Sequence, residues 1–388
     1  MKVKKVQFNN HKVLKNLEID FTNECGEPLE IVVFIGSNGT GKTQLLNSII
    51  SSIGSSPSDK LKATELGLEI SRKELNVNLV VDIAGYKSNS NMVDLVHIVA
   101  RAYEKKPSVI WMPSELNVEN RIKEYERTHN NGFIEYANQW SLDDIREYIV
   151  DIIDEAVYAN RDKPPREAIE DMARMINDIF EILNLDFELI GVATDDAKTP
   201  KFRNRYNGEE FDINSLSTGE KHLFLRILSL RRLKVNNAII IIDEPEISLH
   251  PEWQRKIIEV YRGIGENNQL ILATHSPFVI GSVPSESVCI MFKEEGDIKI
   301  LQQDKNDKTY GKSVEDILKT IMDLDSLRDE GTTNKFNRLL ELLENDNYET
   351  SDYERLMGEL KTQLGTADKD IMRIEMAKSI RMRQNAKN

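Results

Sequence analysis

Cysteine is scarce in this chain, with two residues, Cys25 and Cys289, among 388. The two lie far apart and in no metal-binding or redox spacing, which excludes a disulfide-stapled secreted scaffold and a paired-cysteine zinc site. Such cysteine usage is typical of a reducing compartment. We therefore expect a cytoplasmic protein.

Long apolar runs and an excess of positive charge are also lacking. The longest apolar runs, such as residues 238–242, are far shorter than the roughly 20 residues that a membrane-spanning helix needs. Residues 1–7 carry charges with no apolar signal core behind them. With 51 Lys and Arg against 65 Asp and Glu, the net charge of −14 argues against a general nucleic-acid coat and leaves only a local basic groove open. We expect a soluble globular protein that does not bind membranes.

One stretch near the N-terminus has the complete pattern G-x-x-x-x-G-K-[ST] of a phosphate-binding loop. An apolar β-branched run, residues 30–35, precedes it and predicts a buried strand, and residues 44–50 follow with helical periodicity. Strand, glycine-rich turn and helix in this order let backbone N–H groups and the helix N-terminus surround a phosphate. The predicted loop consists of Gly36, Ser37, Asn38, Gly39, Thr40, Gly41, Lys42 and Thr43.

Chemical roles follow from the residue types in this loop. Lys42 is predicted to reach the β- and γ-phosphates of a nucleoside triphosphate, and the Thr43 hydroxyl to coordinate Mg²⁺. Farther along, four isoleucines end in Asp243 and Glu244, and a second buried strand ends in His275. We expect Asp243 to hold Mg²⁺, Glu244 to take a proton from an attacking water, and His275 to bond the γ-phosphate.

Together these motifs carry a family resemblance over residues 1–300. The phosphate loop, Leu216–Glu220, the strand ending in Asp243-Glu244, the loop at 248–250 and His275 resemble, in order and spacing, the ABC-class ATPase heads of the SMC/RecF/OLD branch. The resemblance implies that ATP and Mg²⁺ are bound and that residues 216–220 act in trans within a homodimer or higher oligomer. Ser217 and Gly219 would then contact the partner's γ-phosphate. Thr218 stands where the family usually has glycine, and Gln139 is the sole candidate for its glutamine loop.

The expected fold is α/β: an ABC-type P-loop head with an antiparallel β lobe, an inserted helical lobe and a C-terminal helical region. We predict the N-terminal part of the head over 1–139, a helical insertion over 140–185, the C-terminal part of the head over 186–308 and a helical tail over 309–388. Three apolar stripes mark the tail, and the second consists of Phe336, Leu339, Leu340 and Leu343. The tail ends in a cationic stretch over 373–387, which is either a binding end or a frayed solvated terminus. This tail is similar to those of standalone bacterial ATPases of anti-phage systems, of the Septu and retron-associated types.

The resemblance implies an ATPase subunit that dimerises on ATP and regulates a separate nuclease effector, with DNA or RNA as a further candidate partner. One alternative is an OLD-like ATPase that acts directly on DNA, in repair or as a nuclease. Asp323 and Asp325 would supply its metal-binding pair, although the tail lacks the alternating strands of a nuclease domain. Another alternative, a transporter subunit, would need a membrane partner.

Overall fold

The structure is a computed structural model that describes residues 1–54, 61–64, 67–72, 77–82, 109–114, 134–136, 141–159, 162, 164–193, 198–303, 309–322 and 326–385. The chain divides into two compact units, Met1–Ile317 and Leu318–Asn388. Finer boundaries within the first unit, as expected from the sequence, stay a prediction.

The described strands and helices follow one another along the chain. The strands are β1 (Lys2–Phe8), β2 (Glu18–Asp20), β3 (Ile31–Ile35), β4 (Leu61–Thr64), β5 (Gly67–Arg72), β6 (Val77–Asp82), β7 (Val109–Met112), β8 (Ile134–Tyr136), β9 (Phe187–Val192), β10 (Pro200–Asn204), β11 (Glu210–Asp212), β12 (Ile239–Asp243), β13 (Gln269–Ala273), β14 (Val288–Glu294) and β15 (Asp297–Gln302). The helices are α1 (Lys42–Gly54), α2 (Leu142–Ala159), α3 (Pro165–Ile182), α4 (Thr218–Arg232), α5 (Pro251–Gln254), α6 (Ile257–Arg262), α7 (Pro277–Ile280), α8 (Val314–Thr320), α9 (Glu330–Glu344), α10 (Ser351–Leu364) and α11 (Lys369–Asn385).

The first unit is built on a sheet with strand order β15-β14-β3-β13-β12-β7-β8. Every pair in it is parallel except the β14–β15 hairpin. Strands β3, β12 and β13 are buried along their whole length, as parallel strands covered on both faces must be. Because parallel strands end at the same edge, the loops after these three strands are brought together there.

An antiparallel sheet of order β2-β1-β6-β5-β4 forms a second layer, which confirms the expected β lobe. Buried Gln269 joins it to the central sheet: its Oε1 accepts from the Val3 N–H at 2.6 Å, and its Nε2 donates to the Val3 and Leu29 carbonyls at 2.9 Å each. Strand β4 forms within a stretch whose Ser and Pro content favours a loop.

The two helices expected between the phosphate loop and the later motifs are present as α2 and α3. Ser141 and Asp144 form the cap of α2, with the Asp144 carboxylate accepting from the Ser141 backbone N–H at 2.8 Å. A three-stranded sheet of order β11-β10-β9 follows, and Asn207-Gly208, a pair typical of hairpin turns, connects β10 to β11, with a φ of 72° at Gly208.

In the second unit, α9, α10 and α11 share one apolar core. Its members are Phe336, Leu339, Leu342, Leu343, Tyr348, Tyr353, Leu356, Met357, Leu360, Ile371 and Ile374. The sequence predicts Leu340 in this core, but Leu340 is 44% exposed and Leu342 is buried instead. The cationic end is likewise not a frayed terminus over its described part. It forms α11, which is fixed where Arg328 bonds Asp368 at 2.9 Å and Asp370 at 2.7 Å.

Candidate nucleotide-hydrolysis site

The loop of residues 36–43 connects β3 to α1, as the sequence predicts. Lys42 is buried, at 7% exposure, and its Nζ donates to the Gly36 and Ser37 carbonyls at 2.9 and 3.2 Å. Gly36 has a φ of 151°, and a Cβ there would lie 2.2 Å from the Met291 carbonyl oxygen of β14. Position 36 therefore admits only glycine, because the neighbouring strand leaves no room for a side chain.

The apex of the loop faces solvent. Ser37, Asn38 and Gly39 are exposed, whereas Thr40 is buried and its hydroxyl donates to the Ser37 carbonyl at 2.9 Å. A ligand can therefore approach the backbone N–H groups of the apex while Thr40 holds the curvature of the loop from within.

Thr43 and Asp243 meet at this site from strongly separated positions in the chain. The Thr43 hydroxyl donates to Asp243 Oδ2 at 2.8 Å, and Asp243 is 5% exposed. Burial raises the pKa of Asp243, while the Thr43 hydrogen bond opposes the shift. A hydroxyl and a carboxylate side by side are the hard oxygen donors that Mg²⁺ prefers, so these two residues fit the ion predicted for them.

Glu244 leaves the end of β12 in a conformation that is uncommon for residues other than glycine. Its φ is 49°, and its backbone N–H donates to the Ala273 carbonyl of β13 at 2.8 Å. Such backbone strain persists where the surrounding structure enforces it and is frequent at functional sites. The hydrogen bond to β13 fixes this turn directly after Asp243.

His275 follows β13 and is held by Glu246. Glu246 Oε1 accepts from the Thr274 hydroxyl at 2.6 Å and from the His275 backbone N–H at 2.8 Å. Burial, and then the positive charge of Lys42, lower the pKa of His275 below its ordinary value, while Glu244 opposes the shift. Its ring is therefore neutral near pH 7.

The ammonium group of Lys42, in the phosphate loop, interacts electrostatically with the carboxylates that end and follow β12. Burial lowers the pKa of Lys42, and the negative charges of Asp243, Glu244 and Glu246 oppose this shift. The three carboxylates thus favour the charged form of the ammonium group against its burial. The structure thus brings Lys42, Thr43, Asp243, Glu244 and His275 together.

Ser217 and Gly219 have contacts of a different kind. Ser217 caps α4: its hydroxyl accepts from the Glu220 N–H, and Glu220 Oε2 accepts from the Ser217 N–H at 2.6 Å. A Cβ on Gly219 would lie 2.6 Å from the Ser248 carbonyl oxygen, so this glycine is required by close packing within its own subunit. The exposed N-terminus of a long helix remains available as an anion-binding feature.

Three further residues of the site escape the sequence analysis. Glu246 lies between the Asp243-Glu244 pair and the loop at 248–250 and receives no role in the sequence analysis, because its partners follow the next strand, β13. Lys293 of β14 places its Nζ 3.6 Å from the position of a Gly39 Cβ, at the loop apex. Fully buried Arg226 of α4 donates to the Pro113 and Ser114 carbonyls after β7, at 3.4 and 3.3 Å.

Two sequence-derived candidates lie outside the residues that the structure describes: Gln139, and the pair Asp323 and Asp325. Lys201, Arg203 and Arg205 alternate along and just after β10, which makes them candidates for binding a nucleic-acid backbone, but two of the three lie close to carboxylates. Arg203 is 3.2 Å from Glu210 and 3.9 Å from Glu188, and Arg205 is 3.5 Å from Glu181.

In the central sheet, the buried strand β3 leads to the phosphate loop, and the carboxylate pair ends β12, two strands away. The histidine follows β13, the strand between them. These three features define an ABC-type P-loop ATPase. The family model described as "AAA domain, putative AbiEii toxin, Type IV TA system" matches residues 82–281, just over half of the chain. The chain belongs to this family. The phosphate loop lies before the matched range.

Relatives of this chain carry names of two kinds. "Retron Vc95 probable ATPase" of Vibrio cholerae is 36% identical over 123 residues, which are 29% of this chain and 24% of that protein. "Septu protein PtuA" of Bacillus thuringiensis is 23% identical over 363 residues, 84% of this chain and 85% of that protein. "Retron Ec83 probable ATPase" of Escherichia coli is 32% identical over 96 residues, 22% and 18% of the two chains. The chain thus spans less than a quarter of the two retron proteins and most of the Septu protein.

Solved SMC heads align with 78% of the chain. The head bound to the C-winged helix domain of ScpA gives a TM-score of 0.45 at 13% identity and is covered to 98%, and the Thermotoga maritima head gives 0.40 at 14% and is covered to 100%. The strand order and the site geometry carry the fold assignment independently of these scores. Within the described residues, the structure contains no helix of the length and apolarity needed to cross a bilayer.

Proposed function

We propose that this chain is an ATP-binding and hydrolysing subunit that pairs with a second copy on ATP and regulates a partner effector, a nuclease, in anti-phage defence. The observation that carries the ATPase part is the convergence of Lys42, Thr43, Asp243, Glu244 and His275 at one edge of the sheet. The names of the retron and Septu relatives support the defence setting.

In this proposal the residues divide the work of phosphoryl transfer. Lys42 and the N–H groups of residues 37–43 hold the β- and γ-phosphates of ATP in the loop. Glu244 accepts the proton of the water that attacks the γ-phosphorus, and the neutral His275 ring donates a hydrogen bond to a γ-phosphate oxygen. Thr43 and Asp243 would hold Mg²⁺, which neutralises phosphate charge when bound.

The dimeric arrangement rests on the exposed end of α4. Ser217 and Thr218, at the start of this helix, are exposed, so a second subunit can present its ATP to them. The direct action on DNA that the OLD-like alternative requires has less support, because Arg203 and Arg205 already face carboxylates.

The test separates binding from turnover. Lys42→Ala should weaken ATP binding, because the ammonium group holds phosphates. Glu244→Gln should leave ATP binding intact and lower kcat by about 10²- to 10⁴-fold, the usual contribution of a general base. Glu259→Gln, an exposed position on α6, is the matched control and should resemble the wild type. Equal loss of ATP binding in the Lys42 and Glu244 variants would contradict the role of Glu244.

The same Glu244→Gln protein tests pairing, since it should accumulate with ATP bound. Sedimentation should show an ATP-dependent dimer, and adding Ser217→Asp should abolish it, because the new carboxylate still caps α4 but repels the partner's γ-phosphate. Ser217→Thr, which keeps a capping hydroxyl without the charge, is the control. A dimer that persists in the Ser217→Asp protein would refute the trans contact.

A further inference from the structure

Helix α11 exposes a continuous apolar stripe. Met372, Met376 and Ile380 follow one another at intervals of four residues and are 56%, 68% and 49% exposed. Single exposed apolar residues are normal on protein surfaces. Three in one row on one helix are unusual for a face in contact with water, because residues spaced by four lie side by side on a helix.

The stripe lies opposite the side of α11 that packs into the second unit. Ile371 and Ile374 are buried in the core, and the Lys378 Nζ lies 4.7 Å from the centroid of the Tyr353 ring. At about 100° per residue, the mean direction of the stripe is about 170° from that of the two buried isoleucines. The stripe is therefore not an edge of the core of this unit.

Cations accompany the stripe, and the acidic residues of α11 do not. Helical spacing places Lys369, Arg373 and Arg383 on the same side as Met372, Met376 and Ile380. We call these six residues the outer face of α11. Asp370 and Glu375 lie to its sides, where Asp370 bonds Arg328 and Glu375 bonds Lys361. Arg373 is also 3.6 Å from Asp370, so its charge is partly balanced.

The outer face thus combines apolar anchors with positive charge in a chain whose net charge is −14. We propose that it docks into an apolar groove, rimmed by Asp and Glu, on the partner protein invoked in the proposed function. Anchors at helical spacing are how an amphipathic helix binds such a groove, and the cations around them would pair with the acidic rim.

The same features disfavour other occupants. Two outer faces from two copies of the chain would bring like charges together. Membrane-interface helices rely on Trp, Phe and Leu, none of which occurs in residues 369–385. A nucleic-acid backbone would pair with the cations and leave the methionines in water.

The experiment measures binding of the purified full chain to the purified product of each neighbouring gene, by calorimetry. Met376→Glu combined with Ile380→Glu should lower the affinity by about 30-fold or more, as removal of central anchors does. Leu340→Glu, at an apolar residue on α9 that is 44% exposed, is the control and should bind as the wild type does. Thermal unfolding of both proteins checks that they remain folded.

Several outcomes overturn the proposal. These are unchanged binding of the double variant, equal loss in the Leu340 control, or no binding of the wild type to either neighbouring product. Binding to phosphatidylserine vesicles or duplex DNA, or self-association, that the same double substitution abolishes would assign the face to that occupant instead. ATP binding and turnover are measured on the same proteins. They should be unchanged, so a failure of docking is distinguishable from a failure of the ATPase assignment.

Discussion

Glu246 offers the sharpest test of how the site is held together. Its Oε1 accepts two hydrogen bonds that position the start of the His275 segment, from the buried Thr274 hydroxyl and from the His275 N–H. Glu246→Ala would leave both donors without this acceptor. Hydrogen bonds to charged groups contribute about 1.5–3 kcal/mol each. Burial raises the pKa of Glu246, so desolvation of the carboxylate offsets part of this contribution. We expect a net loss of about 1–3 kcal/mol in the free energy of unfolding.

The functional consequence should fall on turnover. Glu246 has no hydrogen bond to Lys42 or Thr43 among the described contacts, and its charge acts on Lys42 less than those of Asp243 and Glu244, so Glu246→Ala should change kcat more than it changes the dissociation constant for ATP. Urea unfolding and ATP hydrolysis, each also measured on Glu246→Gln, are the assays, because the amide oxygen of glutamine can still accept both bonds. A double-mutant cycle with Thr274→Val should give a coupling energy of about 0.5–3 kcal/mol. Wild-type stability and kcat in Glu246→Ala would refute the reasoning.

Two further predictions concern charges around the loop. Lys293→Ala should raise the KM for ATP by about fivefold, or about 1 kcal/mol, because the Lys293 ammonium group lies at the loop apex. Lys299→Ala, on the same hairpin, is the control and should leave KM unchanged, because Lys299 already bonds Glu294. Equal effects of the two substitutions would contradict a phosphate contact of Lys293. The pKa of His275 in the folded protein lies below its ordinary value of 6.5. As the pH falls below 6.5, the His275 ring is therefore protonated first in the unfolded chain. The folded state loses stability over this range, until the pH has passed the lowered pKa. His275→Gln should therefore show a smaller decrease in thermal midpoint between about pH 7 and about pH 5, and an unchanged decrease would contradict the shift.

The parts of the site that the sequence predicts are those written in contiguous motifs. The phosphate loop, the Asp243-Glu244 pair and His275 each follow a buried strand, and strand ends in a parallel sheet meet at one edge whatever the intervening chain does. Lys293 was not predictable in this way, because nothing local indicates that β14 pairs with β3. The packing of Gly219 against Ser248 also depends on a tertiary contact.

In the fold, the periodic helices were predictable one by one, whereas α11 was predicted only as part of the helical tail. Helices α9 and α10 each bury one stripe and expose polar residues elsewhere, which is the usual amphipathic pattern. Helix α11 has apolar residues on both its buried and its exposed sides, so no single stripe stands out among its cations. The apolar residues on the exposed side, which obscure the amphipathic pattern of α11 in the sequence, are the ones that form its outer face.

The position of β3 in the central sheet determines how early in synthesis the nucleotide site can fold. Strand β3 pairs with no strand near it in the chain: its neighbours are β13 and β14, so Val33 aligns with Leu272 on one side and with Val288 on the other. A nascent chain that has left the ribosome only as far as α4 already contains the whole phosphate loop but lacks both strands that flank β3. Pairings at such sequence separation form late and slowly. A partly synthesised or truncated chain should therefore be unable to bind ATP, which links nucleotide binding to completion of the head.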